Sequence, residues 1–197
     1  MGEPIERQGV VLYIGGVHAT REPTVLKTVL GSCIAVCLID PVARIGGMNH
    51  FILPAPWHGS EEPWEAARYG IHAMDLLIGA AMKAGADRRR LQAKLFGGAS
   101  LPGMGNGGGG VGQQNVEFIE EFAKVEEIAV VSRDLGGYLP RQIRFYTDTG
   151  KVQVKRLGLH TLRLTRLEER EHLRRIKRPG SQFGEITLFE DGKGKRL

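Results

Sequence analysis

The 197-residue sequence predicts an α+β fold. Apolar runs with strand-like alternation follow one another at short intervals, as hairpins require. Helical periodicity falls only here and there between them, not in the strict alternation of a doubly wound parallel sheet. With 42% hydrophobic and 25% charged residues, the chain can fill a single core and is neither disordered nor fibrous.

The segment from Gly9 to Gly15 (GVVLYIG) is β-branched, glycine-bounded and predicts a short strand. From Leu26 to Asp40 the chain turns at Gly31-Ser32 and then runs CIAVCLID, apolar on both faces, as in a strand buried between two layers. Pro41 stops it. Ile45 to Leu53 (IGGMNHFIL) predicts a strand pairing with it as a hairpin across the short connection Asp40 to Arg44. Ser60 to Gly85 predicts a helix, with Pro63 in its first turn and Glu61, Glu62 and Glu65 at the positive end of its dipole. Its apolar stripe is Ala67, Ile71, Met74, Ile78 and Ala81.

Leu91 to Phe96 predicts a strand, and Leu101 to Gly112 (LPGMGNGGGGVG) a loop of high backbone entropy. A second helix is expected over about Asn115 to Val125, with Phe118, Phe122 and Val125 on one side. Ile128 to Val131 follows as a strand, then RDLGGYLPR as an irregular connection. Gln142 to Thr147 and Val152 to Leu157 predict a hairpin around Asp148-Thr149-Gly150. A basic helix, about Thr165 to Lys177, closes the pattern before Pro179-Gly180.

Charge divides the chain. Residues 151–197 carry 13 Lys/Arg against 6 Asp/Glu, a net of +7, while residues 1–150 carry 14 against 16, a net of −2. The basic tail reads as a solvated helix whose arginines alternate with Glu168, Glu169 and Glu171. It lacks the interleaved aromatics of single-strand binders, so no nucleic-acid partner is expected. No stretch approaches the roughly 18 apolar residues of a membrane span. The start, MGEPIERQGV, has no basic-then-apolar run of a secretory leader, so a cytoplasmic location is expected.

Several chemistries are excluded by spacing. Gly105, Gly107 and Gly110 satisfy G-x-G-x-x-G only because the whole stretch is glycine-rich, and no phosphate-binding G-x-x-x-x-G-K-[ST] exists. Cys33, Cys37 and His50 lack the second ligand pair of a structural zinc site. On one strand the two cysteines stand about 13 Å apart, too far for a disulfide.

What remains is a thiol. Cys33 opens the apolar run after Leu30-Gly31-Ser32, where a sharp turn can expose amide N–H groups to an oxyanion. A nucleophilic cysteine needs a base, and a hairpin centred near Val42 pairs residue 33 with about residue 51, bringing His50 alongside. A one-residue slip would switch faces. On the residues alone, Cys33 reads either as a small core hydrophobe or as a nucleophile. His58 is expected in the Pro-rich turn, His72 on the helix, and His18, His160 and His172 in loops or at the surface.

Taken together, TVLGSCIAVCLIDP, GGMNHFILP, RYG on a helix, AKLFGGA and VSRDLGGYLPRQIRF resemble the chemoreceptor glutamine deamidase family (CheD) over roughly residues 9–157. The resemblance implies an α/β sandwich of two packed β-sheets with flanking helices, related to a bacterial toxin deamidase. It implies hydrolysis of receptor glutamine amides to glutamate and ammonia. It places the nucleophile at Cys33, the base at His50 and a supporting threonine at Thr28, with no cofactor or metal. Expected partners are methyl-accepting chemoreceptors, acted on at their cytoplasmic part, and a CheC-type chemotaxis phosphatase; a monomer is expected. Residues 1–158 would form the deamidase domain and residues 159–197 a basic helical extension. Asp134, Gly136, Gly137 and Arg141 read either as a glycine-rich turn with a capping Asp or as substrate contacts. The competing reading is a non-catalytic docking partner of the phosphatase.

Overall fold

The structure is a computed structural model and describes residues 6–53, 63–101 and 110–176. The expected helix start at 60–62, His58, most of the Gly-rich stretch and the tail beyond residue 176 lie outside the described residues.

Strands β1 (Gln8–Val11), β3 (Thr24–Leu30), β8 (Arg141–Tyr146) and β9 (Val152–Arg156) form one sheet in the order β1-β3-β8-β9. A second sheet runs β2-β5-β4-β6-β7, from β2 (Val17–Thr20), β5 (Ile45–Asn49), β4 (Ile34–Asp40), β6 (Gln92–Gly97) and β7 (Ala129–Leu135). Both are mixed, since β1 lies parallel to β3 and β6 parallel to β7. The helices are α1 (Pro63–Lys83), α2 (Val111–Val125) and α3 (Leu159–Ile176). The expected α+β sandwich of two packed sheets is the observed architecture.

β4 explains why CIAVCLID is apolar on both faces. Every residue of the strand is buried. Ile34, Val36 and Leu38 point to a core shared with α1 and α2, which includes Met74, Leu77 and Phe118. Ala35, Cys37 and Ile39 point to the inter-sheet core with Leu26, Leu30, Ile143 and Phe145. Period-two alternation thus feeds two cores from one central strand. The hairpin turn after β4 is held by the buried Asp40 carboxylate, which accepts from Val42 N and Ala43 N at 3.0 Å and from Asp87 N at 2.9 Å. The Arg90 guanidinium, 2.7 Å away, holds that carboxyl well below the usual carboxylate range.

Several expectations need correction. Pairs Cys37↔Met48 and Asp40↔Ile45 centre the hairpin between Val42 and Ala43, one residue of register away from the expected pairing. On α1, Ile71 is 41% exposed while Leu77 is fully buried. Met74, Ile78 and Ala81 of the expected stripe are buried, and Gly70 takes the inward place expected of Ile71, where an added Cβ would stand 2.3 Å from the Phe118 ring. Val125 turns outward. β7 continues through Arg133-Asp134-Leu135, which had read as irregular, and β2 with His18 was not expected as a strand.

Candidate active site

Cys33 lies just ahead of β4, after the turn Gly31-Ser32. The end of β6 pins this turn: Gly98 N donates to Cys33 O at 2.9 Å and Ala99 N to Gly31 O at 2.8 Å. Gly97, at φ +115°, passes so close that an added Cβ would sit 2.0 Å from Cys33 O. Only glycine fits there. From α2, Asn115 Nδ2 donates to Ser32 O at 2.9 Å, while its Oδ1 accepts from Leu53 N at 2.8 Å. The thiol therefore rests on backbone fixed from two further elements.

His50 follows β5 and is held against the loop before β2. Its N–H donates to Gly16 O at 3.0 Å and its carbonyl accepts from Gly15 N at 2.7 Å. Asn49 Oδ1 takes the Val36 N–H at 3.0 Å, and Ile34 bridges Phe51 beyond it. The local exchange of a ladder bond for a side-chain bond frees His50 to lean between the sheets toward Cys33.

His50 Nε2 lies 2.9 Å from Cys33 Sγ, and Nδ1 lies 2.8 Å from Thr28 Oγ1. Thr28, on the inward face of β3, donates its hydroxyl proton to Leu12 O at 2.8 Å. That proton is then committed, so Thr28 accepts from Nδ1–H and the Nε2 lone pair faces the thiol. The structure brings all three sequence-predicted residues into one hydrogen-bonded chain. All three are buried. Burial pushes the imidazole down to about 4, opposed by the Leu12 carbonyl, and pushes the thiol well above its ordinary value.

A second cause lifts the thiol: the carboxylate of Glu169, on α3. Glu169 is 1% exposed; its Oε2 accepts from Ser32 Oγ at 2.6 Å and its Oε1 from Cys33 N at 3.2 Å. The expectation of a solvated α3 fails here, because Glu169 and Thr165 are buried against the site. His172, expected at the surface, is half-buried and 3.3 Å from the Tyr69 hydroxyl. Sequence reasoning also passed over Ser32 and Asn115. Ser32 could have been found from its place beside Cys33 in the turn.

The DLGG-x-x-PR stretch is a brace in this structure. Arg141 is 1% exposed, and its guanidinium bonds Asp134 Oδ1 at 2.6 Å together with the carbonyls of Asp134 and Gly136. Gly136 N in turn donates to Gly97 O at 2.9 Å, which couples the brace to the cysteine turn. Cys37 is buried one strand repeat beyond Cys33, and both thiols are free. Among the described residues no group of three His, Cys, Asp or Glu is placed to share a metal ion, and no helix is long and apolar enough to cross a membrane.

A thiol, an imidazole and a hydroxyl joined in series beside a fixed backbone N–H form a cysteine–histidine site on a two-sheet sandwich. Residues 52–156 match the family described as CheD chemotactic sensory transduction. The chain is 41% identical over 190 residues to a “Probable chemoreceptor glutamine deamidase” of Shewanella oneidensis, covering 93% of this chain and 89% of the relative. It is 44% identical over 170 residues to one of Stenotrophomonas maltophilia (strain K279a), covering 86% and 83%. A Vibrio vulnificus (strain YJ016) relative of the same description is 39% identical over 182 residues, covering 89% and 84%. The chain belongs to the CheD family.

Proposed function

We propose that this protein hydrolyses the side-chain amide of specific glutamines in bacterial chemoreceptors, leaving glutamate and releasing ammonia, with Cys33 as nucleophile. The carrying observation is the 2.9 Å approach of Cys33 Sγ to a His50 Nε2 whose tautomer is set by Thr28. The names of the relatives supply the substrate class.

His50 Nε2 takes the thiol proton as sulfur attacks the amide carbon. The developing oxyanion is stabilised by N–H groups of the Gly31–Cys33 turn, with Cys33 N as the donor already aimed at an oxygen. The imidazolium returns its proton to the amide nitrogen, the C–N bond breaks and ammonia leaves. Water, giving a proton to the same Nε2, hydrolyses the thioester, restoring the thiol and yielding the carboxylic acid. Thr28 is a positioning residue throughout. The reaction uses only protein groups and water. The setting is the cytoplasmic face of the receptors, with the protein acting as a monomer and a CheC-type phosphatase as a further partner.

Incubation with a receptor cytoplasmic fragment tests this by ammonia release and by the mass gain of amide-to-acid conversion. Cys33→Ala and His50→Ala each abolish both signals, with circular dichroism showing that each variant still folds. Full activity in Cys33→Ala overturns the reading. A second reading, a non-catalytic docking partner of the phosphatase, is favoured by one observation: the thiol is fully buried. It predicts phosphatase binding with no ammonia from any receptor fragment.

A further inference from the structure

Neither the thiol chemistry nor the fold of the two sheets requires α3, yet α3 lies over the site with a carboxylate inside it. The inward stripe of the helix is Thr165, Glu169 and Leu173, four residues apart and therefore on one face. Thr165 is 3% exposed, and Leu173 packs against both the inter-sheet core and the pair Ala99 and Leu101. The helix sits so close to the cysteine turn that a Cβ on Gly31 would stand 2.8 Å from both Glu169 Oε1 and Thr165 Cγ2.

Glu169 is held in an unusual way. A buried carboxylate is ordinarily matched by a cation. Glu169 is matched instead by the Ser32 hydroxyl and the Cys33 amide, and no ion pair to it occurs among the described residues. Those donors belong to the turn that carries the thiol. One carboxylate oxygen accepts from Cys33 N and the other from Ser32 Oγ, so both oxygens are held at the turn beside the thiol. Ser32 Oγ can donate to a carboxylate oxygen there or accept from an amide N–H, because a hydroxyl does both.

We propose that α3 is an intramolecular product analogue: it fills a helix-binding groove over Cys33, with Glu169 where a substrate's glutamate product would lie, and it must leave before a receptor helix can enter. The proposal deepens the deamidase reading and rests on it for the word product. The groove's outside partner is accordingly an α-helix that presents a carboxamide to Cys33 from the position of Glu169. The outward face of α3, with Arg163, Glu168 and Arg174 exposed alongside Leu164 and Leu167, stays in water in the docked state. In that state the Glu169 charge and burial both oppose thiolate formation. A neutral amide in its place removes the first of these.

The full-length chain provides the test. Glu169→Gln places an amide at the reacting position, so the variant converts its own side chain and gains the amide-to-acid mass difference at that residue. Cys33→Ala in the same chain stops the conversion. Separately, iodoacetamide labelling of Cys33, located by peptide mass spectrometry, runs at least tenfold faster in Glu169→Ala and in Leu173→Asp than in wild type. Two variants guard against misfolding in one, and circular dichroism melts accompany both. Equal labelling rates in wild type and both folded variants overturn the occlusion. Faster labelling with no self-conversion, and no ammonia from any receptor fragment, leaves the occlusion standing and sinks the deamidase reading. Receptor deamidation at wild-type rate in Glu169→Gln, Glu169→Ala and Leu173→Asp, with unchanged labelling and no self-conversion, sinks the product analogue alone.

Discussion

The Thr28 hydroxyl accepts from His50 Nδ1 at 2.8 Å because its own proton is already given to Leu12 O. A hydroxyl that both donates and accepts would leave the ring free to hold either tautomer. Here the backbone carbonyl of a neighbouring segment removes that freedom, so orientation of the base is written into the packing of β1's exit against β3.

Replacing Thr28 with Val keeps the shape and removes the acceptor. The variant loses the bonds to His50 Nδ1 and Leu12 O, and a buried ring N–H left unmatched costs about 1–3 kcal/mol, which as lost transition-state stabilisation corresponds to about a 5- to 150-fold fall in rate. The loss is expected in kcat for ammonia release, with KM little changed, since Thr28 acts through the His50 ring. Thr28→Ser restores most of the rate. A Thr28→Val enzyme with wild-type kcat would show that the ring is oriented by other contacts.

The buried imidazole also leaves a mark on stability. His50 is pushed down to about 4 by burial, against an ordinary value near 6.5. Above pH 6.5 the ring is neutral in both folded and unfolded chains and costs nothing. As pH falls from 6.5 toward 4, only the unfolded chain takes up the proton, and stability drops by on the order of 3 kcal/mol. His50→Gln cannot titrate, so the difference in urea unfolding free energy between wild type and variant should shrink or reverse across that window. The buried Glu169, raised by desolvation, is present in both proteins and cancels in the comparison. A difference that stays constant from pH 7 to pH 4.5 would count against a buried neutral ring.

Much of this site was legible because it is nearly local. Cys33 and His50 are 17 residues apart at the outer ends of β4 and β5, which a short turn joins, and that turn limits how far the pairing can slip. The slip of one residue did occur, and geometry tolerated it because His50 lies just beyond the ladder, where Asn49 takes over the Val36 N–H. The strand CIAVCLID was legible for the same reason that β2 was not. Seven buried residues on two faces make a strong pattern, whereas VHAT is four half-buried ones. The docking of α3 was hidden in its composition. Among the described residues its fully buried positions are Thr165 and Glu169, both polar, so the apolar periodicity that betrays a buried helix face is weak. Which strands share a sheet is equally non-local: β8 joins β3 across more than a hundred residues of chain.

Gly97 offers the sharpest test of how the cysteine turn is held. Its φ of +115° lies where side chains are strained, and an added Cβ would stand 2.0 Å from Cys33 O and 3.1 Å from Cys33 C. Backbone cannot swing away as a side-chain tip can, so Gly97→Ala must move either β6's end or the turn carrying the thiol. Gly136 supplies the control. It too has a positive φ, of +71°, but an added Cβ there meets nothing within 4 Å. Gly136→Ala therefore bears only the backbone strain, about 1–3 kcal/mol, and should keep its ammonia release. Gly97→Ala bears that strain and the collision, so it should melt at a clearly lower temperature than Gly136→Ala. It should also lose activity even in the fraction that remains folded, because Gly98 N and Ala99 N no longer fix Cys33 O and Gly31 O. Equal melting temperatures and equal rates for the two variants would mean that the turn is placed by Asn115 and the sheets alone.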